Sequence, residues 1–244
     1  NILRAFISPK PVTIERVNIS KEGNINILNN YTITDKADGQ TSIVYISDIG
    51  KVYCIDNNFR IRYTNVIIDS DYGNTIYNCE YISNDLYDND IMLLMAYDIY
   101  VYKGKSVINL PLVNSKNSRL KLLEDIVNQI NNTIKQNIIG YKFDIKAFYW
   151  LNENNIPKCN KIESYNKFDL KNMNILKLSY QLWSNYYRND TYRYHTDGIM
   201  FTPMGDINLD ILDKTWYENL KWKPPDENTI DFFIKIIDNK KMSF

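Results

Sequence analysis

The hydrophobic positions in the first half of the chain follow the two-residue alternation of β-strands. Runs rich in β-branched and aromatic residues are separated by short polar segments that contain Asp, Asn or Gly. Two of those segments, residues 48–50 and 56–58, have the composition of hairpin turns. The pattern predicts strands at residues 31–34, 41–46, 51–55, 61–68, 77–82 and 91–102.

Two stretches in the second half have helical periodicity instead. Apolar residues recur every three or four positions between Leu120 and Ile134, and Ser118 is placed to cap the amino end of that helix. A second helix is predicted at about residues 168–187, with an apolar face formed by Leu170, Met173, Leu176, Leu178 and Leu182. Further strands are predicted at residues 143–150, 199–202 and 220–223. These elements indicate an α+β domain of antiparallel sheets with flanking helices.

The composition is that of an ordinary globular protein, since 44% of the 244 residues are hydrophobic and 24% are charged. The formal net charge is zero, so a nucleic-acid partner would need a local basic groove. Three scattered cysteines and one histidine argue against a zinc site and a disulfide scaffold, and favour a reducing, cytoplasmic location. The longest apolar run, residues 91–97, is too short to cross a bilayer, so no membrane partner is expected. Because it begins with Asn1, the chain is interpreted as one domain, residues 1–244, of a longer protein.

The segment Lys36-Ala37-Asp38-Gly39 has two interpretations. In the first it is a solvated turn that uses the conformational freedom of Gly39. In the second Lys36 is a nucleophile, which requires a deprotonated amine and therefore neighbouring cations or a desolvated position. The second interpretation needs other basic residues to converge on Lys36, and Lys221 and Lys223 are candidates. Strand alternation places these two lysines on one face, where a bound phosphate would offset their repulsion.

Three acidic residues lie within or beside predicted strands. Glu80 follows Asn78 and Cys79 in one strand, and a single glutamate in a strand is usually exposed. Asp98 follows Tyr97 between apolar residues, where burial of a lone carboxylate would be costly. Asp197 opens the segment DGIMFTP at residues 197–203. No glycine-rich P-loop is present, so phosphates would have to be bound by side chains and a metal ion.

The motifs KxDG, a strand glutamate, aromatic-Asp, DGxxF and KWKP occur in that order between residues 32 and 225. This series resembles the covalent nucleotidyltransferases, the superfamily of mRNA capping enzymes and polynucleotide ligases. The segments DGIMFTP at residues 197–203, LKWKPP at 220–225 and FDIKAFY at 143–149 resemble capping enzymes in particular. The likeness is to the enzymes of large cytoplasmic DNA viruses or cytoplasmic linear plasmids, which implies a location in the host cytoplasm or the virion.

The resemblance implies an mRNA guanylyltransferase that transfers GMP from GTP to RNA with a 5′-diphosphate end. Lys36 would form a covalent lysyl-N-GMP, while Lys221 and Lys223 would neutralise charge on the reacting phosphate. Asp197 and Glu80 would bind Mg²⁺ or Mn²⁺, although the glutamate could bind a ribose hydroxyl instead. The implied nucleotide-binding residues are Asp38, Gly39, Glu80, Tyr97, Asp98 and Ile199. Tyr97 and Ile199 would enclose the guanine. The sequence around both residues is nearly as compatible with a packing role in the core. His195 and Trp222 are interpreted as structural.

Two departures from the family pattern change the expectations. Many members have an arginine shortly after KxDG, where this chain has Gln40-Thr41-Ser42, so that contact is missing or is made by Arg60 or Arg62. Only about twenty residues follow KWKP, too few for the family's OB-fold lobe. That lobe is therefore expected elsewhere in a longer chain, or is absent, and triphosphatase and methyltransferase domains are expected as further partners. An ATP-dependent ligase adenylation domain and a non-catalytic binding module remain as alternatives.

Overall fold

The protein folds into two β-sheets that meet around a cavity, with one helix packed against each sheet. The computed structural model describes residues 8–20, 23–134, 140–161, 173–188, 193–208, 214–227, 235–238 and 241–243. Within these residues no helix is long and apolar enough to cross a membrane. The predicted α+β architecture of sheets with flanking helices is confirmed, and most neighbouring strands are antiparallel.

The smaller sheet has six strands in the order β1-β13-β12-β2-β10-β11. Its strands are β1 (Lys10–Thr13), β2 (Tyr31–Ala37), β10 (Tyr149–Leu151), β11 (Pro157–Cys159), β12 (Thr196–Pro203) and β13 (Thr215–Trp222). All neighbours are antiparallel except β1 and β13. One face of this sheet packs on α2 (Ile175–Arg188), around buried Ile33, Phe201 and Leu220.

The larger sheet has seven strands in the order β5-β4-β3-β6-β7-β8, with β9 paired in parallel to β7. Its strands are β3 (Gln40–Ile46), β4 (Lys51–Asp56), β5 (Ile61–Ile67), β6 (Thr75–Asn84), β7 (Asp90–Tyr102), β8 (Lys105–Ser106) and β9 (Lys142–Ile145). The helix α1 (Arg119–Ile134) packs against β7, and its buried face includes Leu123, Ile126 and Ile130. A separate hairpin joins β14 (Lys235–Asp238) and β15 (Lys241–Ser243).

Most boundaries predicted from the alternation agree with the structure. Both predicted hairpin turns are present: Gly50 adopts a positive φ of 77° between β3 and β4, and Asp56 accepts the backbone N–H of Asn58 and Arg60 between β4 and β5. Helix α1 begins directly after Ser118, whose backbone carbonyl accepts the first helical N–H groups.

The second helix is shorter than predicted. It begins at Ile175, because the Asn174 side chain accepts the backbone N–H of Lys177 and so caps the helix there. Met173 is buried but lies before the helix, and Leu170 lies outside the described residues. The prediction that Leu176 belongs to the apolar face is wrong, since its exposed fraction is 37%, whereas Leu178 and Leu182 are buried as predicted.

The single strand predicted at residues 143–150 is wrong. The chain leaves the larger sheet after β9 and enters the smaller sheet at β10, three residues later. The turn is stabilised by Asn160, whose side-chain oxygen accepts the N–H of Phe148 and whose amide donates to the carbonyl of Lys146. β9 alternates polar and apolar residues and β10 is apolar, a pattern that also fits one continuous strand and does not reveal the change of sheet.

Candidate active site

Lys36 lies where the chain first crosses from one sheet to the other. Strand β2 of the smaller sheet extends through Lys36 to Ala37, further than predicted, and β3 of the larger sheet begins at Gln40. The turn between them has no left-handed residue, which excludes the idea that Gly39 is needed for positive φ. Instead, a Cβ on Gly39 would lie 2.7 Å from the Glu80 side chain and from the Tyr81 carbonyl. Glycine is required there because β6 approaches closely.

Asp197 lies between two lysines at the start of β12. Its Oδ1 is 2.6 Å from Lys36 Nζ and its Oδ2 is 2.6 Å from Lys223 Nζ. Burial alone would raise the pKa of Asp197, but the hydrogen bonds from Lys223 and Lys36 hold that pKa below its ordinary value. The carboxylate is therefore charged at neutral pH, and it holds two cations that would otherwise repel each other.

Gly198 allows this arrangement because β12 and β13 come very close beside Asp197. A Cβ on Gly198 would lie 2.0 Å from the carbonyl oxygen of Trp222, and the residue has a φ of 158°. Any other residue would push the strands apart at Lys223 and separate it from Asp197. The Asp-Gly pair of the sequence motif thus has two functions, one chemical and one steric.

The Lys36 side chain lines a cavity of about 290 Å³ between the two sheets. The walls come from the segment 8–11, from β2, β3, β6 and β7, and from the crossing at residues 146–148. The lining residues are Ser8, Pro9, Lys10, Pro11, Thr34, Lys36, Ala37, Thr41, Asn57, Glu80, Tyr97, Lys146, Phe148, Met200, Thr202 and Asn219. The size and the mixture of apolar and charged walls suit a small polar ligand.

Glu80 and Tyr97 are the other predicted site residues that line the cavity. Burial raises the pKa of Glu80, and the nearby ammonium groups of Lys146 and Lys36 oppose that rise. Burial, and then the charge of Glu80, raise the pKa of Tyr97, whose hydroxyl is 3.3 Å from Ser8 Oγ. Tyr97 is thus a neutral aromatic wall of the cavity.

Lys146 is a cavity residue that sequence reasoning did not assign. Its ammonium donates to the backbone carbonyl of Asp35 at 2.9 Å and lies 3.9 Å from Asp35 Oδ2, while the residue as a whole is only 5% exposed. The Tyr194 hydroxyl donates to the same Asp35 Oδ2, at 3.1 Å. A lysine inside the apolar segment FDIKAFY was a usable signal, because a buried charge needs a specific partner.

Asp197 and Lys223 lie behind Lys36 and are not in the cavity lining, and five other predicted residues also lie outside it. Asp98 is buried and its Oδ1 is 2.8 Å from Nε of the fully buried Arg119. Asp38 and Gly39 are exposed in the turn after β2, and Ile199 is buried in the core of the smaller sheet. Lys221 is half-buried on β13 and forms no ion pair with a residue that the structure describes. Of the two lysines predicted on one face, only Lys223, which follows the strand, reaches Asp197.

Neither candidate for the missing arginine contact lines the cavity. Arg62 is 3.4 Å from Asp56 Oδ2, and Arg60 is exposed at the β4–β5 turn. His195 is exposed, and its backbone carbonyl accepts the N–H of Asp38. Trp222 packs edge-on against Trp183 with ring centroids 5.2 Å apart, as expected for a structural residue.

The acidic side chains could hold a metal ion only if a bound substrate supplied further ligands. Among the described residues no group of three or more His, Cys, Asp or Glu side chains is placed to hold a metal. Asp197 supplies one hard carboxylate, and Mg²⁺ commonly takes one or two carboxylates together with phosphate oxygens and water. Both oxygens of Asp197 bind lysines in this structure, so a metal ion would have to compete with Lys36 and Lys223.

The fold is that of the nucleotidyltransferase domain of DNA ligases. The chain is similar to a mycobacterial DNA ligase D complexed with ATP and MES, with a TM-score of 0.52 and 11% identity over 89% of this chain and 60% of that chain. The ligase domain of Mycobacterium tuberculosis LigD also gives a TM-score of 0.52 at 11% identity, over 89% of this chain and 59% of that chain. No protein-family model matches the sequence.

In sequence the chain is similar to mRNA-capping enzymes. It is 25% identical over 245 residues to a probable mRNA-capping enzyme of Acanthamoeba polyphaga mimivirus, covering 90% of this chain and 20% of that protein. It is 24% identical over 251 residues to an mRNA-capping enzyme of Caenorhabditis elegans, covering 96% of this chain and 34% of that protein. The resemblance predicted from the motif order is therefore confirmed. The chain spans about a fifth and a third of the lengths of these two relatives.

Proposed function

We propose that this chain is the guanylyltransferase domain of an mRNA capping enzyme. It would transfer GMP from GTP, through a covalent lysyl-N-GMP, to RNA with a 5′-diphosphate end. The observation that supports this most is the placement of Lys36, which lines the cavity and shares the Asp197 carboxylate with Lys223. Among the cavity-lining residues, Lys36 is the one whose amine the motif order also assigns as the nucleophile. The sequence similarity to capping enzymes favours GTP as the donor.

In the first step the neutral amine of Lys36 attacks the α-phosphorus of GTP. A P–N bond forms, the P–O bond to the β-phosphate breaks, and pyrophosphate leaves with that electron pair. Lys36 must first lose a proton to solvent, and its Nζ is paired with Asp197 at 2.6 Å. Binding of the triphosphate would therefore have to rearrange this pair before reaction. Lys223, released from Asp197 at the same moment, would stabilise the charge that develops on the phosphate.

In the second step the terminal phosphate oxygen of the RNA attacks the lysyl-bound phosphorus. A P–O bond forms, the P–N bond breaks, and Lys36 regains a proton. Glu80 and Lys146 lie on the cavity wall and would position the nucleotide between the two steps. We assign Tyr97 to the wall beside the base, because it is a neutral ring on the cavity surface.

Mg²⁺ is the metal that we propose, and Asp197 is the residue that would hold it. When bound it would supply positive charge beside the phosphates. The Asp197 carboxylate would then bind the metal in place of the two lysines, which would leave the Lys36 amine free to react and the Lys223 ammonium free to bind the nucleotide. Glu80, which is half-buried and whose pKa is raised by desolvation, is a weaker candidate for this role.

The longer proteins that resemble this chain leave room for other domains. We propose that triphosphatase, OB-fold and methyltransferase domains act with it, in a cytoplasmic setting. An OB-fold lobe that closes over the cavity would orient the pyrophosphate leaving group and so accelerate formation of the adduct.

Intact mass spectrometry tests the proposal. Incubation of the chain with GTP and Mg²⁺ should add the mass of one GMP, and the adduct should map to Lys36 and be labile to acid. A parallel incubation with ATP should give no adduct, and chelation of divalent ions should prevent the reaction with GTP. An adduct formed only with ATP would identify a ligase-type enzyme instead. No adduct with either nucleotide, for a protein that is folded, would favour a non-catalytic binding module.

A further inference from the structure

Three tyrosines lie side by side on one face of the larger sheet. Tyr45 on β3 is opposite Tyr53 on β4, and Tyr53 is opposite Tyr63 on β5. The ring centroids are 6.4 Å and 5.4 Å apart, and the first pair is stacked with an interplanar angle of 21°. Cross-strand aromatic pairs stabilise a sheet, but a row of three partly exposed rings also provides a continuous surface on which flat molecules can stack.

The surroundings of this row are apolar and basic. Ile61 and Ile67 flank Tyr63 on β5 with exposed fractions of 67% and 51%, which are high for isoleucine in a sheet. Lys51 is opposite Ile67, and its Nζ lies 6.0 Å from the Tyr63 ring centroid. We call the surface formed by Tyr45, Lys51, Tyr53, Ile61, Tyr63 and Ile67 the tyrosine face. The outward-facing positions of β3, β4 and β5 include no acidic side chain.

The tyrosine face continues directly into the cavity. Thr41 lies four residues before Tyr45 on the same face of β3, and it is opposite Glu80 on β6. Thr41, Glu80 and Asn57, the residue after β4, all line the cavity. At about 3.3 Å per residue, Thr41 and Tyr45 are roughly 13 Å apart along the strand. A polymer with its end in the cavity could therefore reach the tyrosines within a few units.

We propose that the tyrosine face binds the first unpaired nucleotides of the acceptor RNA, with bases stacked on the tyrosine rings and Lys51 close to the phosphate backbone. This inference rests on the proposed function, because it takes RNA as the acceptor. Aromatic rings combined with a cation, without acidic groups, match the stacking and backbone contacts by which proteins bind single strands. With a net charge of zero, the chain can attract a polyanion only through such local surfaces.

Two matched double variants test the stacking. Tyr53→Leu with Tyr63→Leu keeps apolar bulk but removes both π-faces, whereas Tyr53→Phe with Tyr63→Phe keeps them. Tyr180→Leu is the control for the loss of any surface tyrosine, because Tyr180 lies on α2 and is 67% exposed, more than Tyr63 at 38%. The probe is a ten-nucleotide single-stranded RNA with a 5′-diphosphate and a 3′-fluorophore, and its affinity is measured by anisotropy at fixed salt.

The leucine variant should bind this RNA about tenfold more weakly or worse, because stacking on aromatic side chains contributes strongly to binding of single strands. The phenylalanine variant and Tyr180→Leu should stay within twofold of wild type. All variants should form the lysyl-GMP at the wild-type rate. Equal affinity of the leucine variant and wild type would overturn the inference, and would leave the tyrosine face as a docking site for a protein lobe. Failure of wild type to form lysyl-GMP would instead disprove the proposed function.

A second measurement covers the case in which the leucine variant does not fold. Wild-type protein is irradiated with the same RNA carrying 5-iodouridine at its second and third positions, and the cross-linked peptides are sequenced by mass spectrometry. Cross-links at Tyr53 or Tyr63 support the inference. Cross-links found only at other sites, or no cross-link at all, overturn it.

Discussion

Two carboxylates that the motifs single out have opposite surroundings. Asp98 is buried against Arg119, whose side chain is completely inaccessible and also donates to the carbonyls of Leu110 and Gly205. Asp197 is 15% exposed and holds two lysines, Lys36 and Lys223, whose side chains are 23% and 28% exposed. Both carboxylates pair with cations, yet only the second pairing lies at an open cavity.

The two sites differ in how many N–H donors of the paired cation already have an acceptor. Arg119 directs four of its five N–H donors to a carboxylate and two backbone carbonyls, and its side chain is inaccessible, so a ligand cannot reach it. Lys36 and Lys223 each have ammonium protons that can point elsewhere once Asp197 finds another partner. A charged residue in an apolar strand is thus a signal of burial with a partner, and accessibility decides whether that partner can be exchanged.

The largest expected effect is on adduct formation at the Asp197 site. Lys36→Ala should abolish formation of the GMP adduct, because the proposed nucleophile is lost and the ammonium of Lys146, on the same cavity wall, is held by Asp35. The fold should stay intact, since Lys36 is partly exposed. Intact mass after incubation with GTP and Mg²⁺ measures the first, and thermal unfolding the second. An adduct of undiminished yield on Lys146 or any other residue would show that Lys36 is not the nucleophile.

Breaking the buried pair of Asp98 and Arg119 should instead lower the free energy of unfolding. Arg119→Met removes the partner of a buried carboxylate, and breaking such a pair costs about 3–5 kcal/mol of the free energy of unfolding. Denaturant titration measures this change. Adding Asp98→Asn to the same variant removes the uncompensated charge and should recover part of the loss. A loss below about 1 kcal/mol for Arg119→Met would mean that water or another group reaches Asp98.

Asp197→Ala should separate activity from stability. We expect the rate of adduct formation to fall by about two orders of magnitude, on the scale seen when one electrostatic contact to a reacting group is lost. The free energy of unfolding should change less than for Arg119→Met, since Lys36 and Lys223, which lose their partner, are 23% and 28% exposed and solvent can reach them. Single-turnover measurements with saturating GTP and Mg²⁺ give the rate. An unchanged rate would exclude Asp197 from binding the metal or the nucleotide.

The smallest effect is expected at an ion pair that is neither buried nor close to the cavity. Lys121 and Glu124 lie one turn apart on α1, with Nζ and Oε2 2.7 Å apart and the lysine 65% exposed. Lys121→Met should change the free energy of unfolding by about 0.5 kcal/mol or less and should leave adduct formation unchanged. A change comparable to that of Arg119→Met would show that α1 is far more sensitive to surface charge than its geometry indicates.

The sequence predicted the class of fold and most strands because alternation and turn chemistry are local. It also grouped Lys36, Asp197 and Lys223, although only through the order of motifs, since these residues are far apart in the chain. Asp98 and Lys146 show where such reasoning stops. Both are charged residues with apolar neighbours in the sequence, and only the tertiary structure reveals that Asp98 faces Arg119 while Lys146, between two strands, lines the cavity. Lys221 likewise follows the expected alternation, but β13 ends before Lys223, which turns to Asp197.

The crossings of the chain between the two sheets have a consequence for how the protein reaches its native state. Lys36 and Asp197 are 161 residues apart, and β2 must pair with β12 before they can meet. Contacts of such separation form late and slowly in folding, because a long loop must close first. The local hairpins of β3, β4 and β5 can therefore form first. The cavity forms only when the long-range strand pairs of the smaller sheet are in place. A nucleotide that binds there would act only on molecules that have completed folding, and by mass action it would trap them in that state.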